Sequence, residues 1–160
     1  MNSKETLIIH GDLNNHAHCS ALISLINEYR TDFMGGNLPV LDLISENKLI
    51  DGLKNHPASL ILFALSEETI IGMAVCFQGF STFQAAGLLN IHDLIVFKNY
   101  RNRGIGRLLL EHACEEARKR NFCRVTLEVR TDNDTARRLY KSVGFKPCEN
   151  PMEFWISPIA

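Results

Sequence analysis

Apolar residues recur along the chain at two spacings, and together these spacings predict a mixed α/β protein. Runs of strand length that are apolar, or that alternate with polar residues, occur at residues 6–10, 59–65, 69–80, 88–97, 124–129, 145–148 and 153–157. In four other segments apolar positions recur every three or four residues, which predicts helices that begin near Asp12, Pro39, Gly104 and either Asp132 or Asn133. The length of 160 residues predicts a single domain over residues 1–160.

The strand at residues 88–97 is followed by a helix and a second strand, an order that predicts two parallel strands joined by a right-handed crossover. Up to Asp93 its side chains alternate between polar and apolar, but residues 94–97 are apolar at every position. This change predicts either burial under helices on both faces or a β-bulge near Asp93 and Leu94 that resets the alternation.

A basic turn that contains two glycines connects this strand to the following helix. Arg101, Arg103 and Arg107 surround Gly104 and Gly106, and no acidic residue lies between positions 94 and 110. A helix N-terminus favours anions and glycine lets a ligand approach the backbone, so a pyrophosphate suits this turn. Many helices begin with glycine and basic residues for solubility and chain geometry alone, and this alternative stays open. The Walker A and Rossmann patterns are both absent, which argues against ATP or NAD bound through those folds.

Several motifs in a fixed order carry a resemblance to a known family. The sequence RNRGIG at residues 101–106 is followed by a strand, by N-x-x-A-x-x-L-Y from Asn133 to Tyr140, and by Gly144 and Phe145. This series resembles the GNAT superfamily of N-acetyltransferases, most clearly from Leu88 to Phe145 and weakly before residue 60. The resemblance implies a mixed sheet of six or seven strands, antiparallel in its N-terminal part, with a parallel pair splayed at a bulge and about four flanking helices.

The resemblance also implies acetyl-CoA as cofactor and a direct transfer of its acetyl group to a primary amine in a ternary complex. The residues that match the cofactor-binding positions of the family are Leu94, Ile95, Val96, Arg101, Asn102, Arg103, Gly104, Ile105, Gly106, Arg107, Asn133 and Tyr140. Tyr140 also matches the tyrosine that acts as general acid in many members, whereas its alternative is a core tyrosine on a helix face.

The sequence offers three candidates for the base that takes a proton from the amine, whereas it offers one for the acid. His92 stands just before the expected bulge, where relatives often carry a glutamate, and it is the first candidate. Asp93 is the second candidate and Glu128 the third, and each could act through a water. These three residues, with Glu28 and Tyr29 beside the loop at residues 30–39, form the expected acceptor side, although Tyr29 could equally belong to the core.

The sequence around Phe80 and the strand LLNIHDLIV also resemble the diamine and polyamine acetyltransferase branch of the family. His92 departs from that branch, which tends to have a glutamate at this position, so one anion that would favour a polycation is missing. We therefore expect a small-molecule amine as acceptor, with polyamine-like and amino-acid-like amines as options. Two alternatives remain: acetylation of a protein lysine or N-terminus, and a non-catalytic acyl-CoA-sensing domain.

Charge, hydropathy and cysteine content indicate which partners and which cellular location to expect. The net charge of −1 gives no general attraction to nucleic acid, no apolar run reaches the length of a membrane span, and residues 1–12 lack the apolar core of a secretory leader. Five cysteines at wide spacings predict reduced thiols in the cytoplasm, and the nearby His16, His18 and Cys19 do not predict a metal site, because they cannot all point one way on a helix. A homodimer is common on the implied fold.

Overall fold

The computed structural model describes residues 6–159, so the first five residues of the segment expected to lack a leader lie outside it. The strands are β1 (Thr6–His10), β2 (Ser59–Ser66), β3 (Thr69–Ser81), β4 (Ala86–Val96) and β5 (Arg124–Leu127). The α-helices are α1 (His16–Thr31), α2 (Leu43–Asn55), α3 (Ile105–Lys119) and α4 (Asp134–Ser142). Two short 3-10 turns lie at Phe33–Gly35 and Lys98–Tyr100.

The sheet follows the chain in the order β1-β2-β3-β4-β5. The first three pairings are antiparallel and the last, through α3, is parallel, as the sequence predicted. The described residues form five strands rather than six or seven, so the expected strands at residues 145–148 and 153–157 are wrong. Pro147 lies inside the first of these segments and removes an N–H donor, and the side chains at 146–159 are exposed instead of packed on the sheet.

Two bulges bend the central strands. The register between β3 and β4 pairs Val75 with Asp93 and Cys76 with Ile91, so His92 is left as the extra residue. The predicted bulge is therefore present, one residue earlier than expected. A second register shift between β2 and β3 leaves Ile71 without a partner residue on β2.

Two helices begin later than the sequence indicated. Helix α1 is capped by Asn15, whose side chain accepts an N–H of the first turn, whereas Asp12 accepts an N–H of the preceding turn. Helix α2 is capped by Asp42 and not near Pro39. Both predictions failed because more than one capping residue or proline precedes each helix, and local sequence does not decide between them.

The sheet separates two apolar layers. Helix α3 packs on one face and α1 and α2 on the other. Large side chains at the centre of the two layers include Leu89, Leu109 and Leu110 on the α3 side and Leu22, Leu25, Phe63 and Met73 on the α1 side. This burial fixes β4 in the middle of the molecule and leaves its C-terminal end at the edge of an opening.

Candidate active site

The parallel pairing of β4 and β5 ends early and opens a cavity. The last paired residues are Ile91 and Leu127, and β5 stops there although β4 continues to Val96. A cavity of about 900 Å³ lies beyond this point, bounded by the end of α1, the turn before α3, and α4. The predicted splaying of the parallel strands thus produces a cleft at the C-terminal edge of the sheet.

The edge of β4 that faces the cavity carries backbone N–H groups beyond the last residue paired with β5. Phe97 N donates to Ile71 O on β3 at 3.1 Å. Because alternate residues of an antiparallel strand face the same neighbour, Ile95 also faces β3, whereas Leu94 and Val96 face the opening. All three residues line the cavity, but only Leu94 and Val96 present backbone N–H groups to it.

The turn before α3 is a cradle of backbone amides. Asn102 and Gly104 adopt left-handed conformations with φ of 61° and 80°, and no side chain caps the helix. The first helical hydrogen bond runs from Leu108 N to Gly104 O at 3.0 Å, so the N–H groups of residues 105–107 point outward. A Cβ at Gly104 would meet no atom within 4 Å, which leaves open space above these amides. This geometry fits a diphosphate.

The arginines of the turn are held by the protein itself. Arg103 Nη2 donates to Asn99 O at 2.8 Å, and Arg107 Nη2 donates to Ser142 Oγ at 2.8 Å. Arg101 is paired with Glu28 of α1 and with Asp32, the residue that follows this helix. The side chains add positive charge near the cavity, but the groups that aim at it are backbone amides.

Asn133 and Gly106 shape the α4 side of the cavity. The Asn133 Oδ1 accepts the Ala136 N–H at 3.1 Å and so caps α4, one of the two caps that the sequence allowed, and the amide nitrogen of Asn133 stays available as a donor to a ligand. A Cβ at Gly106 would stand 3.0 Å from Leu139 Cδ2, and this close approach seats α4 against α3. Gly144, with φ of 100°, follows the end of α4.

Tyr140 projects from α4 into the cavity. Its side chain is partly buried, and its ring lies 6.1 Å from that of Phe145. Burial raises the pKa of the Tyr140 phenol, and the nearby Tyr29 adds to this shift. Tyr29 also lines the cavity, with its hydroxyl 3.3 Å from Met34 O. Tyr140 therefore keeps its proton at neutral pH and can donate it.

The three candidate bases line the same cavity. His92 is exposed and its ring packs edge-on against Phe77 at 5.6 Å. Asp93 is partly buried, and this burial raises the pKa of its carboxyl while the neighbouring His92 lowers it. Glu128 lies on the other side of the opening and accepts from Asn90 Nδ2 at 3.3 Å. The structure brings together groups from β4 and from the residues that follow β5.

The expected acceptor side of the cavity is lined by residues that sequence reasoning missed. Glu28 was predicted to contact the substrate, but Asp32 is the acidic residue of this region that lines the cavity. Glu28 Oε1 instead accepts the Lys98 N–H at 2.8 Å. Met34 and Phe154 also line the cavity. Asp32 followed by the glycines at 35 and 36 was a local signal of an ordered turn, whereas nothing near Phe154 indicated its position.

Residues 6–159 contain neither a cluster of metal-binding side chains nor a membrane-spanning helix. This range contains no group of three or more His, Cys, Asp and Glu side chains that could hold a metal ion. Within the same range, every helix is too short or too polar to cross a bilayer.

Comparison with known proteins gives a family match. The model of the acetyltransferase (GNAT) family matches residues 22–145. The chain is 42% identical over 55 residues to the "[Ribosomal protein bS18]-alanine N-acetyltransferase" of Escherichia coli K12, covering 34% of this chain and 37% of that protein. It is 50% identical over 56 residues to the N-alpha-acetyltransferase RimI of Mycobacterium tuberculosis, covering 35% and 34%. The chain thus matches about a third of the length of these curated relatives.

Two solved structures share the fold over almost the whole chain. One is an aminoglycoside acetyltransferase from an uncultured soil metagenomic sample, with a TM-score of 0.80, 21% identity, and coverage of 99% of this chain and 100% of that chain. The other is a probable acetyltransferase, with a TM-score of 0.78, 23% identity and 98% coverage of both chains. At this level of identity the likeness shows the fold alone.

Proposed function

Because this chain belongs to the acetyltransferase (GNAT) family, we propose that it moves the acetyl group of acetyl-CoA to a primary amine of a small molecule. The family match confirms the resemblance found in the sequence motifs. The observation that carries the proposal is the convergence of three features in one cavity: the amide cradle before α3, the open edge of β4, and Tyr140.

The donor side is assigned to backbone groups. The amides of residues 102–107 would hold the pyrophosphate, and the open N–H of Val96 would pair with an amide of the pantetheine arm. The N–H of Leu94 is aimed into the cavity, where it can stabilise negative charge that develops on the carbonyl oxygen. Acetyl-CoA supplies an acetyl group activated as a thioester.

The proton transfers are assigned to side chains on opposite sides of the opening. A protonated amine must lose a proton before its nitrogen lone pair can attack, and His92, Asp93 and Glu128 can each accept that proton directly or through a water. We assign this role first to His92. Tyr140, whose proton is retained because burial raises the pKa of its phenol, would protonate the leaving sulfur.

A second acceptor class is supported by the names of the relatives. Two of them are named as acetyltransferases of a ribosomal-protein alanine or of N-α groups, although each match covers about a third of that protein. A peptide N-terminus is also a primary amine, so the same site chemistry would serve it. The aminoglycoside acetyltransferase with the same fold shows that this fold can serve a small-molecule amine, which is compatible with the main proposal.

The test is to measure thiol release from acetyl-CoA with a panel of acceptors: polyamines, amino acids, aminoglycosides, and peptides that begin with alanine or contain lysine. Turnover with a small amine supports the proposal, and turnover confined to peptides supports the second class. Binding of acetyl-CoA without turnover on any amine would indicate a sensing domain. Absence of acetyl-CoA binding by calorimetry would overturn the proposal itself.

Location and assembly are further parts of the proposal. Cys19, Cys76, Cys114, Cys123 and Cys148 are all free thiols, which supports a cytoplasmic protein. A homodimer stays a prediction, and light scattering of the purified protein would measure it.

A further inference from the structure

Arg101 joins the cofactor-side turn to the end of α1 by a set of ion pairs. Its Nη1 lies 3.3 Å from Asp32 Oδ2 and its Nη2 lies 3.9 Å from Glu28 Oε1. Its Nε donates to Val96 O at 3.0 Å on the open edge of β4. All three guanidinium nitrogens are therefore directed at protein groups, and a phosphate would have to compete with two carboxylates for them.

A second basic residue strengthens the same connection. The Lys98 N–H donates to Glu28 Oε1 at 2.8 Å, and Lys98 Nζ lies 3.6 Å from Asp32 Oδ2. Asp32 Oδ1 accepts the Met34 N–H at 3.1 Å. The Asp32 side chain is 17% exposed and that of Arg101 39%, so solvent screens this network only in part.

The network has one end on each side of the cavity. Asn102 and residues 104–107, next to Arg101, line the donor side, while Asp32 and Met34 line the acceptor side. The Tyr29 hydroxyl, 3.3 Å from Met34 O, holds the same wall. An ordered Arg101 backbone thus fixes the position of the acceptor wall through Asp32.

Building on the proposed function, we propose that Arg101 is a positioning residue that couples the donor site to the acceptor site. A ligand held by the amides of residues 102–107 fixes the backbone next to Arg101. Arg101 in turn holds Asp32 and the Met34 segment in the conformation that accepts the amine. Acceptor affinity then depends on the pair of Arg101 and Asp32, whereas acetyl-CoA affinity depends on the backbone amides.

The test is a double-mutant cycle with R101Q, D32N and the double variant, measuring the acetyl-CoA Kd by calorimetry and the acceptor KM and kcat by thiol release. We expect each single variant to raise the acceptor KM about fivefold, the upper range for a partly exposed ion pair. The acetyl-CoA Kd should change less than about twofold, and the double variant should be no worse than either single variant, because both remove the same interaction. Arg118→Gln, which makes the same charge change on the exposed side of α3, is the matched control.

Two results would overturn the proposal. A direct phosphate contact by Arg101 would make R101Q weaken acetyl-CoA binding while the acceptor KM stays unchanged. A direct contact between Asp32 and the amine would make D32N raise the KM while R101Q does not. The charge-swapped variant R101D/D32R should recover part of the lost acceptor affinity, which a merely structural role at either position would not produce.

Hydrogen exchange of the backbone amides tests the coupling without any turnover, and so independently of the proposed function. Adding acetyl-CoA alone should protect the amides of residues 33–37 in the wild type, and R101Q should lose most of this protection while still binding acetyl-CoA. Equal protection in both proteins, or none in either, would overturn the coupling. Absence of turnover with every amine would remove the proposed function, yet this exchange measurement would still decide the coupling.

Discussion

Tyr140 on α4 and Tyr29 on α1 lie in the same cavity, within electrostatic range of each other. Burial is the main reason that the pKa of the Tyr140 phenol is raised, and Tyr29 adds to it because two phenolates would repel. A tyrosine that stays protonated is suited to donate a proton to a leaving group but not to act as a base. The raised pKa of the Tyr140 phenol is therefore compatible with the acid role proposed for it.

The first prediction concerns this acid. Tyr140→Phe removes the hydroxyl and should lower kcat about 100-fold, the lower range for general acid catalysis, with the acetyl-CoA Kd within about twofold of wild type. Tyr29→Phe is the comparison, since it loses the contact with Met34 O and should raise the acceptor KM more than it lowers kcat. An unchanged kcat in Tyr140→Phe would remove this residue from the acid role.

The second prediction concerns the base. If His92 accepts the amine proton, His92→Gln should lower kcat about 100-fold, while Asp93→Asn should change it little. If Asp93 is the base, activity falls as the pH drops through the raised pKa of its carboxyl, and Asp93→Asn removes this pH dependence together with most of the activity. Glu128→Gln completes the set, and the variant that loses most of the activity identifies the base.

The third prediction links Asp93 to stability. Burial raises the pKa of its carboxyl above the ordinary value of 3.8, so the folded protein keeps this proton at a pH where the unfolded chain has lost it. The protonated Asp93 carboxyl makes its full contribution to stability below the pKa that it has in the unfolded chain. This contribution is lost as the pH rises through the higher pKa of Asp93 in the folded protein. Asp93→Asn should therefore raise the free energy of unfolding in urea at pH 7 more than at pH 4. Asp51→Asn, which makes the same substitution at an exposed position of α2, is the matched control.

The fourth prediction separates the capping role of Asn133 from a role in binding. Asn133→Ala loses the hydrogen bond to Ala136 N and should destabilise the protein by about 1 kcal/mol, whereas Asn133→Asp keeps the cap. Urea unfolding measures this difference. If both variants weaken acetyl-CoA binding to a similar extent, the amide nitrogen of Asn133 binds the cofactor; if neither does, Asn133 is only a cap.

The fifth prediction concerns the left-handed turn. Gly104→Ala forces a side chain into a backbone with φ of 80° and should cost about 1–2 kcal/mol in the free energy of unfolding. Gly52→Ala is the matched control because Gly52 lies inside α2 with open space around it, and this change should stabilise the helix by about 0.5–1 kcal/mol. Equal changes in the free energy of unfolding at both positions would show that glycine is not needed at position 104 to avoid backbone strain.

Features set by nearby residues were predictable from the sequence. The apolar runs gave β2, β3 and β4 almost to the residue, and the loss of alternation after Asp93 indicated the bulge. The start of α3 at Gly104 and the cap at Asn133 followed from residue types with strong local preferences. These elements carry most of the residues that the sequence predicted to bind the cofactor.

Features set by distant partners were not predictable. The turn arginines were expected to add positive charge to an anion site, but local sequence did not indicate that Arg101 is paired with Asp32, 69 residues away in sequence, and Arg107 with Ser142, 35 residues away. The choice between Leu94, Ile95 and Val96 as backbone donors depends on which residues face β3. The segment after residue 144 has apolar residues at strand spacing, yet its prolines and lack of a partner strand leave it outside the sheet.

The sheet order has a consequence for folding. Strands β1 to β4 lie side by side in the sheet in the order of the chain. Tight hairpins join β2 to β3 and β3 to β4, so the pairing of these three strands closes short loops and should be fast. Strand β5 can pair only after residues 97–123 have crossed the sheet as α3. During synthesis from the N-terminus, a β-meander can therefore form first, and the cavity acquires its last wall, the α4 side with Tyr140, near the end of folding.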